Sequence, residues 1–180
     1  MTLVETARKL AEERHAGQGR PNISREPKII HVAEVAALVE NHGGSAEEIA
    51  AAWLHDIIED TQTTREEVVD VFGAEIAEIV DGMTDPDGYA ALPLIERKKL
   101  QADRLVSKRK SVKLIKICDQ YSNILSVLND PPLDWTPEKS MIYIEGAKKL
   151  ADICRPVSEE MYRIFIEVYN RGSQKYRSQS

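Results

Sequence analysis

Cysteine is scarce in this chain of 180 residues. Cys118 and Cys154 are the only two, they lie far apart, and they form no CxxC. That excludes a CxxC redox or metal motif and leaves two reduced, semi-buried thiols, as expected of a cytoplasmic protein. Long apolar runs are missing as well. Met1–Ala16 has no stretch of signal-peptide length, and nothing approaches a transmembrane span, so neither a signal peptide nor a membrane partner is expected. A basic excess is also lacking: 24 Lys and Arg stand against 30 Asp and Glu, giving a net charge of −6 and a pI near 5.3. Nucleic-acid binders are more often basic, so nucleic acid is not the expected partner. No period-2 alternation, internal repeat or low-complexity block occurs, which argues against a sheet, a solenoid or a disordered chain.

What is present is helical patterning with clear punctuation. Hydrophobic residues make up 42% and charged residues 30%, ordinary for one globular domain with a full-sized core. The spacing predicts helices over Thr2–Ala16 and from about Ile30 to His42, with Gly43-Gly44 as the stop. "GQGRPNISREPK" between them reads as an ordered loop. Ser45 with Glu48 forms a capping box opening a helix that runs to about Asp60, and Thr63 with Glu66 reads as a second box. Phe72-Gly73 divides that next helix from one over Ala74–Met83. Further helices are expected at Leu94–Ser107, Ser111–Leu128, Glu138–Ile153 and Pro156–Asn170, with breaks at "TDPDGYAALP" and "NDPPLDWTP". Residues 1–172 are then a single all-α domain, a helical bundle, and residues 173–180 a polar tail expected to be disordered.

One stretch does not fit ordinary core patterning. "AAWLHDIIEDTQTT", residues 51–64, places His55, Asp56, Glu59 and Asp60 beside Trp53, Leu54, Ile57 and Ile58. Acids among branched aliphatics are costly to bury unless something compensates them. On the helix that runs to about Asp60, His55 sits over Glu59 and Asp56 over Asp60. An imidazole and carboxylates in one sector are ligand types for Mn²⁺, Fe²⁺ or Zn²⁺. A solvated helix end accounts for the same pattern, although acids oppose the negative end of the helix dipole. Two more residues extend the set: His31, directly after the apolar "KII", and Asp119 within "LIKICDQYSNIL". His15 and His42 are read more simply as helix-end residues.

The order His … His-Asp … Asp, with the segments "ARKLAEERHAGQGR", "PKIIHVAEVAALV", "AAWLHDIIEDTQTTREEVVDVFGAEIAEIVDGMTD", "LIERKKLQ" and "KLIKICDQYSN", resembles the HD-domain alarmone hydrolases of RelA/SpoT type, above all the small single-domain ones. The resemblance runs from about Leu3 to Gly172. It implies an all-α HD-domain bundle holding one Mn²⁺ per chain, other divalent metals being possible, and hydrolysis of the 3′-pyrophosphate of (p)ppGpp to GDP or GTP. It further implies His31, His55, Asp56 and Asp119 as metal ligands, and Glu59 and Asp60 as the acids that orient and activate water. A carboxylate just outside a ligand set can accept the water's proton.

An anionic nucleotide substrate needs cations. Nine of the basic residues lie between Arg97 and Lys116, with Asp103 the only acid among them. Arg97, Lys113 and Lys116 are assigned to the phosphates, while Lys108, Arg109 and Lys110 read as a solvated face. Lys116 stands three residues before Asp119 and Asn123 four after it, on nearly one helix face. Arg20 matches a family arginine near the base, so Arg20 and Asn123 join the substrate set. The chain departs from the family at Val32, Pro21, Gln120 and Ser122. The metal and water residues are complete, whereas the nucleoside side is altered. Two alternatives therefore stay open: another phosphorylated nucleotide (an adenosine alarmone or the 2′-phosphate of NADPH), or a sensor that binds without turnover. A homodimer is compatible with the sequence.

Overall fold

The computed structural model describes residues 1–178. The helices are α1 (Leu3–Arg14), α2 (Lys28–Asn41), α3 (Ala46–Trp53), α4 (Ile57–Asp60), α5 (Arg65–Phe72), α6 (Ala74–Met83), α7 (Leu94–Leu105), α8 (Lys110–Asn129), α9 (Pro137–Cys154) and α10 (Glu159–Arg177), with a 3₁₀ turn at Tyr89–Ala91. Among the described residues there is no strand, only the isolated bridges Gly19–Pro27 and Asn22–Pro132. The all-α expectation therefore holds.

The centre of the bundle is α8, which packs on α2, α3, α6, α9 and α10. Its buried residues include Val112, Leu114, Ile115, Ile117, Cys118, Ile124 and Val127, so the helix is apolar over most of its circumference, as a central helix must be. Asp119 and Gln120 are buried on the same helix, and they need the partners described below. Cys118 and Cys154 are both free and fully buried. Burial pushes the Cys154 thiol up to about 12 and Cys118 up as well, which makes both inert apolar fillers. No described helix is long and apolar enough to cross a membrane.

Several boundaries differ from the sequence expectation. The capping box after the motif is Thr64 with Glu67, one residue later than Thr63 with Glu66. Thr63 is buried instead, and its hydroxyl accepts from Thr61 Oγ1 at 2.9 Å. The box at Ser45 and Glu48 forms as expected. Helix α2 begins at Lys28 and ends at the glycine pair, where Gly43 takes φ +78°, a left-handed turn that suits glycine. The expected polar tail is mostly helix: α10 continues to Arg177, Tyr176 Oη donates to the Val127 carbonyl at 2.6 Å, and Lys175 Nζ donates to the Leu128 carbonyl at 2.6 Å. These bonds to the end of α8 hold the last turns down. Residues 179 and 180 of that expected tail lie outside the described residues.

The largest correction falls on the motif. The helix expected from Ser45 to Asp60 breaks after Trp53. Leu54 (φ −104°, ψ 1°) and Asp56 (φ −104°, ψ 0°) sit in the bridge region, and the amides of Leu54, His55 and Ile57 bond three residues back. Neighbours on a regular helix diverge by about 100°. The break lets His55 and Asp56 face the same point, which the expected i,i+4 stacking would not.

Candidate metal centre and substrate cleft

Four side chains from three segments converge: His31 from α2, His55 and Asp56 from the α3–α4 turn, and Asp119 from α8. His31 Nε2 lies 3.4 Å from Asp119 Oδ1 and 3.7 Å from Asp56 Oδ2. His55 Nε2 lies 3.2 Å from Asp56 Oδ2 and 3.9 Å from Asp119 Oδ1. The two imidazoles meet edge to face, with centroids 5.3 Å apart.

The tautomers follow from the partners behind the rings. His55 Nδ1 is 2.7 Å from the Ala52 carbonyl, so Nδ1 carries the proton and Nε2 presents a lone pair. His31 Nδ1 is 2.9 Å from Ser122 Oγ, which donates its own proton to Glu34 Oε2 at 2.5 Å. Ser122 therefore accepts from His31, and His31 Nε2 is also a lone pair. Two buried lone pairs then face two carboxylate oxygens, and His55 Nε2 has no hydrogen-bond partner. Acceptors crowded against acceptors are unfavourable without a cation among them. Nitrogen and carboxylate donors with tautomers fixed from behind suit a divalent metal. Ligand atoms of His31, His55 and Asp56 lie within 4.8 Å of one another.

The buried charges at the centre shift one another's titration. Burial pushes Asp119 up, but Lys116 at 3.5 Å and the two histidines outweigh it and hold the acid well below the carboxylate range. Burial opposes the charge on Asp56 too, and His55 and Lys28 overcome it. Burial lowers His31, whereas at His55 the nearby Asp56 and Asp119 outweigh burial and raise it.

The centre opens into a cleft of about 620 Å³, within the range of nucleotide-sized sites. Glu59, Asp60, Arg20, Arg97, Lys116 and Asn123 line it. Glu59 Oε2 accepts from the Asp85 amide at 3.3 Å, and burial together with the Asp56 charge raises its carboxyl. The Asp60 carbonyl accepts from Gln18 Nε2 at 2.8 Å, while His15 Nδ1 meets the other end of that amide at 2.7 Å. Arg20 donates to Asn123 Oδ1 at 2.7 Å, and Asn123 Nδ2 donates to Asp119 Oδ1 at 2.6 Å. One chain of hydrogen bonds thus joins Arg20 through Asn123 to Asp119.

Lys113 does not belong to this site. Its ammonium donates to the Val106 carbonyl at 2.8 Å, and it does not line the cleft. Six residues before Asp119 it is turned roughly 120° away around α8, whereas Lys116 is turned only about 60°. Ser122 is likewise not a base contact but the buried partner of His31. Of the two departures at Gln120 and Ser122, only Gln120 reaches the cleft. Its amide donates to Asp119 Oδ2 at 2.8 Å, and its oxygen accepts from Lys98 Nζ at 2.9 Å.

Three residues escaped the sequence reading. Lys98, among three consecutive basic residues, is the buried one, with its ammonium 4.2 Å from the Tyr143 ring. Glu34 stands behind Ser122. Lys28, one turn before His31, contacts both Asp56 and Asp60. Spacing to His31 was the available signal for Lys28, since residues three apart share a helix face.

Residues 7–132 match the model of the HD domain. The zebrafish (Danio rerio) protein named guanosine-3′,5′-bis(diphosphate) 3′-pyrophosphohydrolase MESH1 is 33% identical over 171 residues, covering 92% of this chain and 93% of its own. The human protein of that name is 31% identical, with 91% and 92% covered. A solved structure described as a metazoan ortholog of SpoT that hydrolyzes ppGpp superposes with a TM-score of 0.86 at 27% identity, over 95% of this chain and 96% of that one. An HD domain implies divalent-metal binding, which agrees with the donor set described above. Such agreement of pattern, coverage and geometry means that this chain belongs to the HD domain family, among the relatives of the MESH1 proteins.

Proposed function

We propose that the chain is a Mn²⁺-dependent hydrolase that removes the 3′-pyrophosphate of (p)ppGpp. The observation that carries this reading is the convergence of His31, His55, Asp56 and Asp119 at the floor of a cleft that also presents Glu59, Asp60 and the cations Arg20, Arg97 and Lys116. The names of its relatives set the substrate class.

In this reading the four donors hold one divalent ion, which supplies Lewis acidity toward the phosphoryl group. Lys116 and Arg97 hold the phosphate oxygens. Glu59, with its carboxyl raised by burial, accepts the proton of the attacking water. Asp60, fixed through its carbonyl by Gln18 and through its carboxylate by Lys28, orients that water. Water oxygen bonds to phosphorus, the bond from phosphorus to the ribose 3′ oxygen breaks, and a proton returns to that oxygen. Arg20 and Asn123, bonded to each other, face the nucleoside.

One observation favours a second substrate. Gln120 lines the cleft at a position where the resemblance leads one to expect lysine, so the ammonium nearest that point is Lys98, buried and 2.9 Å from the Gln120 oxygen. A single phosphate at the ribose, as in the 2′-phosphate of NADPH, suits that change; an adenosine alarmone, which carries the same phosphates as ppGpp, is the alternative set by the altered nucleoside side. The deciding experiment gives the Mn²⁺-reconstituted protein a nucleotide panel and measures pyrophosphate and orthophosphate separately. Pyrophosphate from ppGpp is expected. Orthophosphate from NADPH alone would select the second substrate, and binding without release would make the protein a sensor.

A further inference from the structure

Lys28 is the first residue of α2, and its backbone amide is fixed by the Gln18 carbonyl at 2.9 Å. Its ammonium lies 2.5 Å from Asp56 Oδ2 and 2.7 Å from Asp60 Oδ2, with the side chain 19% exposed. Among the described residues no other Lys or Arg pairs with either acid at salt-bridge distance. Asp60 stands at the end of a helix of only four residues, a segment with little rigidity of its own. The same Asp56 oxygen that meets Lys28 also faces the lone pairs of His55 and His31. Lys28 therefore touches a metal-ligand candidate and a water-orienting candidate with one charged group, from the helix that also delivers His31.

We propose that Lys28 is a positioning residue: its ammonium ties the ligand Asp56 to the acid Asp60, fixing Asp60 for the water while offsetting negative charge at the metal centre. This rests on the function proposed above. The two effects have opposite signs. Pinning Asp60 favours turnover, because a water-orienting carboxylate acts only in a narrow geometry. A positive charge beside a ligand carboxylate weakens the hold on a cation, since like charges repel strongly where solvent is excluded. An exchangeable ion and an ordered acid are thus obtained together.

Substituting Lys28→Met separates the two. Metal-free protein titrated with Mn²⁺ alone should bind it more tightly, by about tenfold or more. At saturating Mn²⁺ the same variant should lose kcat by about tenfold with KM changed much less, because the lost contact acts through Asp60. Lys28→Arg keeps the charge and should return Mn²⁺ affinity to the wild-type value while recovering part of kcat. A merely structural role would lower both Mn²⁺ affinity and kcat, and that result overturns the proposal. A rise in KM with kcat unchanged overturns it too, since Lys28 would then be a phosphate contact. Should Lys28→Met fail to fold, Lys28→Gln must show the same pair of opposite signs or the proposal fails. An inactive wild type on every nucleotide would sink the function proposed above; the charge-offset half would still stand or fall on whether Lys28→Met tightens Mn²⁺.

Discussion

Lys98 carries a charge where the fold can hardly support one. The residue is 5% exposed, its stem runs against Gly146, and its ammonium meets the Gln120 amide oxygen and the Tyr143 ring face. Burial first, then the neighbouring Lys116 and Arg97, push it down from 10.5 to about 7. Between those two values the unfolded chain binds a proton that the folded chain has released. Stability must therefore rise with pH through this window, and below about pH 7 the full penalty of the buried charge applies. Each pH unit is worth about 1.4 kcal/mol. From pH 7 to pH 9 the gain from this one group is about 2 kcal/mol, allowing for partial titration near the folded value. Lys98→Met abolishes that dependence, while its lost contacts add only an offset that does not vary with pH. Urea unfolding of the metal-free wild type and variant at the two pH values reads the difference directly. The wild type should gain about 2 kcal/mol on the variant between them. A flat difference would refute the reasoning, because it would mean that the ammonium is hydrated or paired in solution.

Other outcomes follow from the same geometry. His55→Ala should lose bound metal and activity together, since the Nε2 lone pair has no other partner; a full metal content in the purified variant refutes the ligand set. Glu59→Gln keeps the shape and removes the base, so turnover should fall by roughly 100-fold while Mn²⁺ binding persists, measured by single-turnover kinetics and metal titration. Lys116→Ala should raise KM for all phosphorylated nucleotides alike, with high salt partly reproducing the effect, whereas Lys113→Ala should leave kinetics at wild-type values because that ammonium is spent on the Val106 carbonyl. Arg20→Ala should change the ratio of kcat/KM for ppGpp over its adenine counterpart; a ratio unchanged there but altered in Lys116→Ala would reverse the two ends of the cleft.

The amino-acid order alone determined the helical class; the single domain of residues 1–172 and the metal-donor set are proposals, the second drawn from the family resemblance. The helical class follows from local facts, period-3.6 patterning and capping residues, while the donors were proposed from ligand-type side chains in apolar helices read together with the resemblance. Glu59 and Asp60 were proposed from the same resemblance, and both line the cleft. Tertiary structure decided what depends on direction and on contacts distant in sequence. The break at Leu54–Asp56 has no strong local signal, since no glycine or proline marks it, yet it aims His55 and Asp56 at one point. Arg97, Lys98 and Lys99 read alike in sequence, but α7 packs on α9, and a Cβ at Gly146 would fall 2.5 Å from Lys98 Cγ, so the close approach that buries Lys98 alone is a property of two helices and of one small residue. Lys113 and Lys116 belong to one basic run, and only their angle around α8 separates a surface contact from a cleft residue. Ser122 reads as a lost base contact until the fold places it between His31 and Glu34, where its hydroxyl fixes the tautomer that leaves the Nε2 lone pair facing Asp119. Lys28 resembles any solvated lysine at a helix start; its partners lie 28 and 32 residues away, and only packing α2 against the turn that follows α3 brings that ammonium between two acids.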